Sequence, residues 1–115
     1  MKNKLGEEAK FNILIRTKPE KVEHKMEDVI NAKNEKCNSE EDMDSGWCWW
    51  DVSRAPIREG ILKVLFTDGK NVFAEGDFYG TSTDPAIEFS PLRRVNYPQP
   101  REAPTRGFTY VEIKK

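Results

Sequence analysis

"IREGILKVLFTDGKNVFAEGDFYG", Ile57 to Gly80, carries two runs of β-forming residues, Ile61 to Phe66 and Asn71 to Phe78, on either side of Asp68-Gly69. Asp-Gly accepts the positive backbone angles of a tight turn, so the stretch reads as a β-hairpin. Gly76 and Gly80 fall in or just after the second run. A glycine there marks a bulge, or a point where a ligand or another backbone comes too close for a side chain.

Upstream of the hairpin, Lys10 to Arg16 alternates, with Phe11, Ile13 and Ile15 on one face and Leu14 opposite, which predicts a strand with some cover on both sides. Thr17 as N-cap, Pro19 in the first turn and Glu20 three positions after the cap form a capping box, and Val22, Met26, Val29 and Ile30 recur at helical spacing. The expectation is an amphipathic helix lying on a sheet, with His24 off its apolar stripe and exposed. Residues 34–46 have no period and many turn formers, and read as an acidic loop without the ligand spacing of a calcium site.

Downstream, Ala86 to Phe89 is a short strand halted or bent by Pro91, and Leu92 to Tyr97 continues it. "YPQPREAPTRG" has too many prolines for the middle of a sheet, and Gly107 to Ile113 alternates again as a terminal strand. These readings combine into one α+β domain over residues 10–115 after a charged, disordered start at 1–9. The expected fold is a small β-pseudo-barrel of five or six strands with one capping amphipathic helix after the first strand.

The chain has 115 residues, enough to bury one core without staples, and a net charge of -1 that excludes a bulk polyelectrolyte binder. Charge is nonetheless segregated. Glu35, Glu40, Glu41, Asp42, Asp44 and Asp51 face only Lys36, whereas Arg93, Arg94, Arg101, Arg106, Lys114 and Lys115 face only Glu102 and Glu112. Two cysteines, Cys37 and Cys48, do not make a disulfide framework, and there is no apolar leader or membrane-length run, which leads to the expectation of a cytoplasmic protein with free thiols. One histidine and no CxxC leave too few ligands for a structural zinc, and the phosphate-loop, dinucleotide and zincin motifs are missing. No cofactor, no metal and no membrane partner are expected.

The pattern from Trp49 to Gly80 resembles the PUA-like superfamily, which includes the PUA, ASCH, EVE and YTH domains. In these a turn with a glycine precedes a "V-L-F" strand, here Val64-Leu65-Phe66, and the next strand carries a small residue and glycine, here Ala74-Glu75-Gly76. The resemblance extends in outline over residues 10–113. It implies a pseudo-barrel that binds nucleic acid, in some branches with a modified base in an aromatic pocket. Gly60-Ile61 stands where those relatives carry Gly-Asp, and the Gly/Lys/Glu/Arg signature of the ASCH branch is not visible, so its hydrolytic chemistry does not carry over.

All three tryptophans lie in "GWCWWDVSR", Gly46 to Arg54. If the segment is extended, Trp47 and Trp49 share one face and Cys48 and Trp50 the other, so one pair packs into the core and a remaining ring lines a cleft. An indole stacks on a base or covers a core equally well, and both roles stay open here. Ser53 and Arg54 are the polar groups next to the rings, and Tyr79 supplies an opposite wall. Arg93, Arg94, Arg101 and Arg106, interleaved with Tyr97, Phe108 and Tyr110, suit phosphates and bases. The expected activity is non-catalytic binding of RNA or DNA. The alternatives are a protein-interaction module built on the Pro/Arg/aromatic C-terminal segment and a small ASCH-like nucleotide or RNA hydrolase.

Overall fold

In a computed structural model the described residues are 1–29 and 48–113. They form a mixed sheet of seven strands: β1 Phe11–Arg16, β2 Cys48–Asp51, β3 Ile61–Thr67, β4 Asn71–Thr81, β5 Ala86–Phe89, β6 Arg93–Pro98 and β7 Phe108–Glu112. The strand order is β2-β5-β4-β3-β1-β7, with β6 also paired to β4.

The β3–β4 hairpin forms where the turn chemistry predicts it. Asp68 Oδ1 accepts the backbone N–H groups of Lys70 and Asn71, both at 2.9 Å, and the buried Thr67 hydroxyl donates to the Asn71 carbonyl at 2.8 Å. These bonds hold the Asp68 carboxyl below the usual carboxylate range. A register shift between Phe66 and Thr67 inserts one extra residue on β4, so Val72 and Ala74 enter different cores.

Those cores lie on the two faces of the sheet. The larger gathers Ile13, Ile15, Val64, Phe66, Phe78, Ile87, Phe89 and Leu92; the smaller gathers Leu14, Leu65, Val72 and Ala103. β1 runs parallel to β3 and antiparallel to β7, and its Ile13, Leu14 and Ile15 are all buried, as expected of a central strand covered on both sides. Tyr97 of β6 packs at the smaller core, where burial, reinforced by Glu75, pushes its phenol up to about 12. Because the folded value lies above the ordinary 10.0, the neutral phenol's contribution to stability is complete below pH 10 and is lost as pH rises towards 12. A phenolate absorbance titration should show one tyrosine ionising last, and in a Tyr97→Phe variant that late step should be gone.

β5 and β6 are two halves of one interrupted strand along the same edge of β4. The interruption is at Ser90-Pro91-Leu92, opposite Gly76 and Asp77. Ser90 donates its N–H to the Asp77 carbonyl at 2.9 Å, and its hydroxyl accepts the Asp77 N–H at 2.8 Å. A Cβ on Gly76 would stand 2.9 Å from the Ser90 carbonyl and 3.0 Å from Leu92, so this glycine marks close backbone approach, one of its two sequence readings.

Three expectations are corrected. The sheet is open and not a closed barrel, because nothing pairs β7 with β2 and β6 branches from β4 instead of extending the circuit. The capping helix is not found among the described residues: Pro19–Lys21 and Glu23–Lys25 are single 3-10 turns, and only 27–29 take helical backbone. Lys18, not Thr17, occupies the N-cap without a side-chain bond, while the Thr17 N–H continues the sheet to the Thr67 carbonyl at 2.9 Å. Met26 is extended, and the Lys25 carbonyl and Glu27 N–H exchange bonds with Leu92 at 2.9 and 2.8 Å, which takes the groups a helical ladder needs. The stripe is nonetheless inside, with Val22 and Met26 at 0% and 1% exposure and Val29 packed on the same core; Ile30 and the acidic loop 34–46 lie outside the described residues. Third, the strands among the described residues number seven and not five or six, because the tryptophan stretch supplies β2. The charged start folds back on itself. The Lys2 and Glu8 backbones form an isolated antiparallel β-bridge, and the buried Asn3 side chain donates to the Ile61 carbonyl at 2.8 Å while its oxygen accepts the Leu5 and Glu7 N–H groups.

Candidate functional site

The tryptophan stretch is extended as β2, antiparallel to β5, so its side chains alternate. Cys48 and Trp50 face the core and Trp49 faces outward at 48% exposure; Trp47 lies outside the described residues. Trp49 stands beside Glu88, with the Lys25 ammonium 5.3 Å from its ring centroid. Burial pushes the Cys48 thiol up, Lys25 opposing it more weakly, so the sulfur is a packing group and not a thiolate.

Trp50 divides its surface between two environments. One side packs edge-on against Phe66, centroids 5.3 Å apart at 68°, and the ring also borders a groove of about 470 Å³ with Arg16, Thr17, Lys18, Lys21, Asp68 and Thr105. The topology explains this company. Parallel pairing brings the end of β1 to the end of β3, Arg16 beside Thr67, so the Arg16 guanidinium comes to rest against the hairpin turn. A Cβ on Gly69 would lie 3.0 Å from Arg16 Nε, so a side chain there would crowd the guanidinium. The 3-10 turn after Pro19 brings Lys18 and Lys21, three residues apart, to the same rim. Arg16, Lys18 and Lys21 make no ion pair among the described residues, and the one acid, Asp68, already has its carboxylate on turn N–H groups.

The other expected site residues are dispersed. Ser53 and Arg54 are exposed in the loop after β2, and Tyr79 is half-buried at the β4 bulge, one strand beyond β5; none of them lines the Trp50 groove. Arg93 pairs with Asp77 at 3.4 Å, and Arg94 grips both Glu23 and Asp28, which raises its already high pKa further. Arg101 donates to the Tyr110 carbonyl at 3.1 Å, and Arg106 is exposed just before β7. The four arginines do not make one phosphate strip. Arg16, Lys18, Lys21 and Thr105 are not among the residues the sequence singles out, although "RTKPEK", Arg16 to Lys21, holds three cations against Glu20 alone. The same residues also match a capping box, which assigns them to a helix start and not to a binding rim.

Among the described residues no group of three or more His, Cys, Asp or Glu could hold a metal ion, and no helix is long and apolar enough to cross a membrane. Compared with known proteins, the chain matches no family model, no curated protein and no solved structure.

Proposed function

We propose that the protein binds nucleic acid without catalysis, taking single-stranded RNA or DNA at the Trp50 groove. The observation that carries this reading is the meeting of three cations that make no ion pair among the described residues with Trp50, which borders the same groove. Guanidinium and ammonium groups neutralise phosphates at any sequence, and an aromatic ring adds about 1–3 kcal/mol per stacked base. Thr17 and Thr105 add hydroxyl donors at the rim. The PUA-like pattern of residues 49–80 suggests the same ligand class. The rival reading, a protein-interaction module made by the C-terminal segment, is weakened because that segment serves its own sheet: Ala103 is buried in the smaller core and Arg101 binds β7.

The test is a titration of tryptophan emission with oligouridylate and oligothymidylate at about 50 and 200 mM salt. Emission should change on binding, and affinity should fall steeply between the two salt concentrations. Unchanged emission together with no band shift at low salt would reject the proposal.

A further inference from the structure

We infer that the ligand is a single strand several nucleotides long, held at both ends of the β1–β7 pair; this rests on reading the Trp50 groove as a nucleic-acid site. β1 and β7 are paired from Phe11↔Glu112 to Ile15↔Phe108, and the Trp50 groove lies at the Arg16 end. At the Phe11 end is a second groove, of about 990 Å³, bordered by Phe11, Arg58, Arg101, Tyr110 and Glu112 among others.

The chemistry of this second groove matches the first, a flat group beside cations. Arg58 Cζ lies 5.1 Å from the centroids of both Phe11 and Tyr110. Its backbone is tied down as well, since the Ile57 and Arg58 N–H groups donate to the Tyr110 hydroxyl at 3.0 and 3.4 Å. Tyr110 thus holds Arg58 by its ring and its hydroxyl, and holds Arg101 by its carbonyl at 3.1 Å. Neither arginine has a carboxylate partner among the described residues. A guanidinium over aromatic rings offers a plane for an unstacked base or a fork for phosphate.

The ends are joined by half-buried Phe108, whose ring is 5.6 Å from Tyr110. At the usual strand rise the two grooves stand roughly 17 Å apart, too far for one nucleotide and suited to a short extended strand. A ligand reaching both gains from the second contact as an intramolecular event. Flat groups at both ends need bases free of a duplex stack, which favours single strands.

Affinities should be compared for a thymidine dinucleotide, an oligothymidylate of about eight nucleotides and a duplex of the same length. The longer strand should bind at least about tenfold tighter than the dinucleotide. Arg58→Gln should remove that gain, with Arg101→Gln as a second variant that leaves the Arg58 platform in place. Equal binding of the two strand lengths, equal binding of the duplex, or a gain that survives both variants overturns the inference while leaving the Trp50 groove as the binding site. No binding of either strand at low salt overturns both readings together.

Discussion

Gly60→Ala should lower the melting temperature by on the order of 10 °C, from a loss of about 3 kcal/mol. Gly60 has φ +82, where an L side chain costs roughly 1–2 kcal/mol. A Cβ at this position would also overlap the Glu8 carbonyl oxygen and lie 3.3 Å from the Lys10 nitrogen. Neither obstacle is the end of a flexible side chain, so relief requires moving backbone. That backbone is committed, because the Gly60 carbonyl accepts the Lys10 and Phe11 N–H groups at 2.8 and 3.0 Å as β1 begins. Gly107→Ala is the control: φ is +75 and nothing lies within 4 Å of the added Cβ, so only the backbone penalty applies. Thermal unfolding followed by circular dichroism checks the pair. A Gly60→Ala protein that melts no lower than Gly107→Ala would show that the close approach to Glu8 is not there.

The second large effect concerns binding. The combined variant Arg16→Gln, Lys18→Gln, Lys21→Gln should weaken oligonucleotide binding roughly a hundredfold at low salt. Its plot of log affinity against log salt should be shallower by about 2, since three single-strand phosphate contacts contribute about 0.7 each. All three side chains are exposed and free of ion pairs among the described residues, so the fold should survive. Arg94→Gln is the informative contrast. Its guanidinium is held by Glu23 and Asp28, so affinity and salt slope should stay near the unaltered values. The reverse result, with Arg94 mattering and the three groove cations not, would move the ligand to another face.

Local chemistry was legible where neighbours in sequence decide it. Asp68-Gly69 marked the hairpin, the alternation of residues 11–15 marked a strand covered on both faces, and the spacing of Val22 and Met26 marked two side chains that are buried. The same spacing did not reveal the ladder. It specifies which side chains go inside, while the backbone chose 3-10 turns and an extended Met26 because Leu92 offers hydrogen bonds there. Closure into a barrel was illegible for a related reason, as alternation says that a strand has two faces and not which strand lies beside it.

The candidate site divides along the same line. "CWWD" showed that Trp50 and Cys48 share a face, and the structure puts that face inward with Trp50 at the margin. Whether an arginine can meet a phosphate depends on its competitors. Arg94 finds its carboxylates 66 and 71 positions earlier in the chain, whereas Arg16 meets none among the described residues.

What the sequence by itself determined is six of the seven strands, their main turn and the side chains that must leave water, because periodicity and turn preference act over a few residues. What only the tertiary structure decided is the strand order, the fate of residues 17–29 and the identity of the cations that make no ion pair among the described residues. Each of these depends on hydrogen-bond and charge partners brought together from distant parts of the chain, and pairing at that distance leaves no mark in local pattern.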